Sequence, residues 1–370
     1  MGRAWIDSKA VAFQAATAEA ARTLGASHLP VIAGLGTDIA GVRAAMALAE
    51  KVGAAIDHMS SGTLFRDLGV MRDSGWMVTT PSEARLRADV LLMIGTGLLA
   101  AWPELPARLF IPPTAPEAGG VERRIVWLCA GRDARQFSGS DANIRKIGRD
   151  PEDLPVLLAA LRARVAGRPV GKTRLSANLL AELAADLQAA HFGVAVWSAA
   201  ELDALTIEML CGLVKDLNAK TRFSGLPLAA GDNALGALQA CGWMTGFPMR
   251  TGFGRGYPEH DPWRFDAARL VETGEADCVL WISAYSAATP NWKRAVPMIA
   301  LTGQDVNFPR PPRVRIEVGR PGIDHDAVEH IAATGTLAPV TATKPSELPT
   351  VAHTIAQIAS AVPDVGTRSC

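Results

Sequence analysis

The sequence predicts an α/β fold built on doubly wound parallel sheets, and three observations carry that expectation. Short apolar runs such as Leu29–Gly34, Asp89–Gly95, Phe192–Trp197 and Ala276–Ser283 alternate along the chain with longer segments of helical periodicity. Several of these runs are continuously apolar, as strands covered on both faces of a parallel sheet must be. With 370 residues and a hydrophobic fraction of 49%, the chain is long and apolar enough for two packed cores.

In chain order, Trp5-Ile6-Asp7 precedes a helix expected over about Lys9–Leu24, where Val11, Ala15, Ala18, Ala21 and Leu24 recur at helical spacing. Leu29–Gly34 reads as a strand, Gly34–Asp38 as its turn, and Asp38 as the cap of a helix over Ile39–Val52. Gly34-Leu35-Gly36 after a strand raises a dinucleotide reading, with Asp57 as the ribose contact after the short strand Ala54–Ile56. The third glycine of that fingerprint would fall at Ile39, so a tight turn is the competing account.

Ile56–Pro81 reads as a long polar loop leaving a βα unit, where open α/β sheets place their chemistry. Ser82-Glu83 is expected to cap a helix ending near Ala88. Strands Asp89–Gly95 and Arg124–Cys129, helices Asp153–Val165 and Asn178–Ala190, strand Phe192–Trp197 and a helix over Ala200–Leu217 continue the alternation. Asn218–Pro262 is punctuated by glycine and proline and is too rich in turns for one long helix. With its flank it carries Lys220, Arg222, Arg250, Arg255 and Arg264. Two readings stay open: an anion pocket, or solvated charge offset by Asp216, Asp232, Glu259, Asp261 and Asp266. Strands are expected at Ala276–Ser283, Val296–Leu301 and Val314–Val318, and a closing helix at Val351–Val362. His325, His330 and His353 suggest a metal site, against which stands a capped helix start at Asp324–His330 with exposed imidazoles.

Composition excludes several function classes. Lys+Arg and Asp+Glu both number 37, so no net field favours nucleic acid or an anionic membrane. Val90–Ile94 and Cys278–Ile282 are far shorter than a membrane span, and residues 1–10 lack a signal pattern, so the expected location is cytoplasmic. Cys129, Cys211, Cys241, Cys278 and Cys370 are too widely spaced for a zinc or iron–sulfur motif. Cys129 and Cys278 sit in apolar runs, where a reduced buried thiol is expected. No Gly-x-Ser-x-Gly elbow or His-Glu-x-x-His pair is present.

Two segments carry a family resemblance. The first is Ile56–Pro81; the second contains Asn218–Pro227, Gly231-Asp-Asn233, Trp243–Pro248 and Arg255–Pro258. Together they resemble the B subunit of formylmethanofuran dehydrogenase, in the molybdopterin/tungstopterin oxidoreductase superfamily, and the resemblance covers nearly all of residues 5–345. The family carries a metal-binding cysteine in a Cys-His-Gly-Pro-like run, twelve residues before a glycine. Counted back from Gly75, that position holds Thr63, followed by Leu64, Phe65 and Arg66. A threonine hydroxyl is a poor substitute for the thiolate that a soft, redox-active metal requires. The family's Gly-Cys-Asn-Pro-like loop reads Gly95-Thr96-Gly97-Leu98-Leu99 here, without the polar asparagine.

The resemblance implies two interleaved α/β domains, residues 1–60 with 256–370 and an insert 61–255, with the old cofactor cleft between them and without the iron–sulfur and β-barrel domains. These losses imply the form of the subunit found in the formyltransferase/hydrolase complex of methylotrophic bacteria. The implied role is a redox-inactive, non-catalytic structural subunit with no bound cofactor. The implied partners are hydrolase (amidohydrolase-like), formyltransferase and β-helical subunits, and methylofuran is the complex's carrier. A further expectation is that Arg66, Lys220, Arg222, Arg250 and Arg255 receive the carrier's acidic tail. The alternative is an active dehydrogenase subunit binding a molybdo- or tungstopterin.

Overall fold

The structure, a computed structural model, describes residues 3–111, 122–133, 144–148 and 150–363; Cys370 lies outside the described residues. The chain divides into two compact units. One comprises Met1–Gly62, Gly231–His330 and Leu337–Cys370, and the other Thr63–Ala230 with Ile331–Thr336. The return to the first unit therefore comes at Gly231, earlier than the position 256 that the resemblance implied. The reason is local: helix Ala234–Thr245 packs on helix Ile39–Val52, and Thr251–Gly252 pairs with Ala55–Ile56.

The first unit holds a sheet whose parallel centre runs Ala55–Ile56, Pro30–Gly36, Cys278–Ser283, Met298–Thr302, Val314–Glu317. Antiparallel strands extend both edges: Thr251–Gly252 and Glu259–His260 at one, Ala4–Ile6 and Lys9–Val11 at the other. Lys9–Val11 thus belongs to an edge hairpin rather than to the first helix, which spans Phe13–Gly25. Asp38 caps helix Ile39–Val52 through the Gly41 amide at 3.0 Å, and Gly53 ends it at φ +69°. Helix Val351–Ala361 packs against Ile39–Val52 and Phe13–Gly25. Helix Ala267–Thr273 contributes Leu270 and Val271 to a core with Val31, Val279 and Trp281. The crossovers 284–297 and 303–313 contain no helix, so this unit is not wound by helices throughout.

The second unit is a five-stranded parallel sheet ordered Ile144–Ile147, Arg124–Leu128, Val90–Ile94, Gly193–Trp197, Phe223–Pro227. The winding direction reverses between Val90–Ile94 and Gly193–Trp197, which makes their carboxyl ends a topological switch point. Helices Leu154–Val165, Ala177–Gln188 and Ala204–Leu217 bury Leu158, Leu183 and Leu210 in the core beside one face. Against the other face, Trp127 is fully buried and its indole N–H donates to the Gly95 carbonyl at 2.8 Å.

Two further expectations are corrected. Residues 61–74 of the polar stretch form a helix, Ser61–Ser74, not a loop. Asp324–His330 starts no helix; Ala327–Ile331 and Thr336–Val340 pair as a two-stranded sheet.

Candidate functional site

The strand Ala55–Ile56 delivers Asp57 and His58 into the first unit's interior, where both are buried. Asp57 Oδ2 accepts the Ala267 amide at 3.0 Å and faces the Arg250 guanidinium at 3.5 Å. Arg250 in turn holds Asp266 at 2.5 Å and donates to the Pro262 carbonyl at 2.6 Å. Burial raises the Asp57 carboxyl to about 6, the Arg250 charge opposing that rise. The other carboxylate oxygen, Oδ1, is buried with no hydrogen-bond partner among the described residues. Asp57 therefore anchors the start of helix Ala267–Thr273 and a charged pair, where the sequence suggested a ribose contact.

His58 is held neutral. Burial lowers its pKa to about 4, against the pull of the Asp232 carbonyl. Its Nδ1 accepts the Ser60 amide at 3.0 Å, so Nε2 carries the proton and donates to Asp232 O at 3.1 Å. Both ring nitrogens are thus committed to the backbone. Asp57, His58, Arg250, Asp266, Trp281 and Trp292 line a cavity of about 280 Å³. With both ring nitrogens of His58 spent on the backbone, this arrangement orders the turn, and among the described residues no nucleophile–base pair is poised there.

Asp232 and Asn233, at φ +57° and +58°, complete this turn. The Asn233 amide donates to Thr37 O at 2.9 Å and its oxygen accepts the His330 amide at 2.9 Å. Asparagine and aspartate tolerate the left-handed region, so Gly231-Asp-Asn233 was the one signal in the sequence for this clasp.

In the second unit, Thr63 is half-buried in the first turn of helix Ser61–Ser74. Arg66 is exposed and donates to the Ala199 carbonyl at 2.6 Å. One turn after Thr63, Asp67 accepts the Trp197 indole N–H at 2.9 Å, and burial raises its carboxyl to about 6. Lys220 is exposed; Arg222 sits 5.1 Å from the Phe192 ring centroid and 3.4 Å from Glu83. In the first unit, exposed Arg255 pairs with Glu259 at 3.1 Å, and Arg250 pairs with Asp57 and Asp266 as above. Arg222, Arg250 and Arg255 therefore each face a carboxylate of their own unit, Arg250 from a half-buried position and Arg222 and Arg255 from exposed ones. Asp216 and Asp261, expected as counter-ions to this group, are engaged by Arg162 and by the Trp263 and Arg264 amides instead.

The described residues do not fit a thiolate-held metal. Thr63 offers a hydroxyl at the expected position, and the four described cysteines are all buried. Burial pushes the Cys129 and Cys211 thiols up to about 11 and Cys278 to about 12, and raises Cys241 as well. Among the described residues no group of three or more His, Cys, Asp or Glu is placed to hold a metal ion. Nor is any described helix long and apolar enough to cross a membrane.

No family model matches the chain. It is 35% identical over 367 residues to the B subunit of the formyltransferase/hydrolase complex Fhc of Methylorubrum extorquens, covering 98% of this chain and 97% of that protein. The structure superposes with a TM-score of 0.85 and 35% identity on a chain of the crystal structure of the FhcABCD complex from the same organism, which was solved with methylofuran. That match covers 97% of this chain and 98% of the other. The B subunit of tungsten-containing formylmethanofuran dehydrogenase 2 of Methanocaldococcus jannaschii is 29% identical over 294 residues, 75% of this chain and 65% of the relative. The Methanococcus maripaludis protein of that name is 26% identical over 292 residues. With 35% identity along almost the whole of both chains, this chain belongs to the B-subunit family of formyltransferase/hydrolase complexes.

Proposed function

We propose that this chain is a redox-inactive structural subunit of a formyltransferase/hydrolase complex, one that passes a formyl group from a pterin carrier through methylofuran to formate. The observation that carries the reading is the end-to-end likeness to the B subunit of Fhc. Thr63 at the position of the dehydrogenases' cysteine, together with cysteines whose thiols are raised by burial, supports a non-catalytic role. On this reading the hydrolytic and transferase chemistry sits on partner subunits, with a β-helical subunit completing a cytoplasmic assembly. The pterin-binding reading is less favoured, because the dehydrogenase subunits are the more distant relatives.

The test is Thr63→Ala in the assembled complex. A lone hydroxyl with no activating base supplies no nucleophile, so turnover is expected to stay within about twofold of wild type. A loss beyond about tenfold with assembly intact would contradict the structural role.

A further inference from the structure

The two helix-free crossovers of the first unit leave a groove where packed helices would ordinarily lie. It has a volume of about 910 Å³ and is lined by residues of 290–298 and 308–311. Trp292, Phe308 and Met298 give it an apolar floor, and Lys293, Arg294 and Arg310 stand exposed on its rim. No carboxylate lines it. Among the described residues, no salt bridge engages Lys293, Arg294 or Arg310, in contrast to Arg222, Arg250 and Arg255.

The carboxylate of Glu272 accepts the backbone amide of Lys293 at 2.5 Å, and Lys293 itself is exposed. The Arg294 guanidinium lies over Gly274, where the Cβ of any larger residue would collide with it. Pro290, Pro297, Pro309 and Pro311 line the walls and lack backbone N–H groups, so the groove is poorly suited to adding a strand by main-chain pairing. Recognition falls to the charged heads and the apolar floor.

We propose that this groove is a docking site for an extended acidic segment of another polypeptide, one that alternates carboxylate and aliphatic side chains. The apolar floor matches the aliphatic positions, and three unmatched cations match the carboxylates. A chain with no net charge gains little from long-range attraction, so local complementarity selects the partner. The inference rests on complex membership only for the partner's identity as a neighbouring subunit.

The probe is a fluorescein-labelled peptide alternating glutamate and leucine, compared with its glutamine–leucine counterpart by anisotropy on the full-length chain. The glutamate peptide is expected to bind, with affinity falling as salt rises, and the glutamine peptide is not. Lys293→Ala, Arg294→Ala and Arg310→Ala together should weaken binding about tenfold, while Lys293→Arg, Arg294→Lys and Arg310→Lys together retain it. In the assembled complex, carbodiimide should join Lys293 to a carboxylate of another subunit. Unchanged binding in the triple alanine variant overturns the proposal, as does tighter binding of a single-stranded oligonucleotide, which would make the groove a phosphate site. Cross-links that avoid Lys293 in an intact complex also overturn it. If no complex forms but the peptide results hold, the groove assignment stands and complex membership falls.

Discussion

Arg250→Met is expected to destabilise the protein by about 3–5 kcal/mol at neutral pH, the usual cost of removing one partner of a buried charged pair. The Arg250 side chain is 16% exposed and lies between Asp57, 7% exposed, and Asp266, 24% exposed. Methionine fills most of the stem's volume but leaves two carboxylates near one another without the intervening cation. Asp57 already titrates near 6, so losing Arg250 removes the largest influence holding that value down. Arg250→Lys should recover only part of the loss, because an ammonium cannot also span Asp266 and the Pro262 carbonyl as the planar fork does. Urea unfolding of the three proteins at pH 7 decides the matter. A cost below about 1 kcal/mol for Arg250→Met would place the pair among ordinary surface bridges.

The second large effect is a pair of opposed pH dependences. His58 has a folded-state pKa of about 4 against 6.5 unfolded, so the unfolded chain binds the extra proton between those values. Its contribution to stability therefore rises with pH across that window. Asp57 is the mirror case: about 6 folded against 3.8 unfolded, so the folded chain binds the extra proton and stability falls as pH rises. In the wild-type protein the two slopes largely cancel. His58→Gln leaves the Asp57 slope exposed, so this variant should lose stability relative to wild type between about pH 4 and 6. Asp57→Asn should gain over the same window. Each swing is expected to reach about 3 kcal/mol, since the folded and unfolded values differ by roughly two pH units and each is worth about 1.4 kcal/mol. Unfolding midpoints at pH 4.5 and 7 test it; two variants moving in the same direction would refute the assignment.

Most of the parallel strands were legible because they are continuously apolar. Val90–Ile94, Cys278–Ser283 and the helix Ile39–Val52 with its Asp38 cap stand where periodicity and cap chemistry put them. Lys9–Val11 was not legible, since an exposed three-residue edge strand carries no alternation against the strong helical pattern that follows. Helix Ala234–Thr245 was hidden by the glycines and prolines on either side of it. The site was less readable than the fold. Sequence proximity grouped Lys220, Arg222, Arg250 and Arg255, yet the first two lie in one unit and the last two in the other. Glu83, which faces Arg222, is far away in sequence, and no spacing rule connects them. His58 carried no motif at all; its role follows from burial and two backbone contacts that only the folded chain supplies.

Metal content tests most directly the proposal that this subunit has lost the dehydrogenases' metal chemistry. The complex would be purified from its natural host grown with tungstate and molybdate, and the elements measured against this chain. The structural role predicts well below about 0.1 equivalent of either metal, since a protonated threonine hydroxyl and buried thiols of raised pKa supply no soft ligand. About one equivalent of tungsten or molybdenum that stays with this subunit after the complex is dissociated would contradict it.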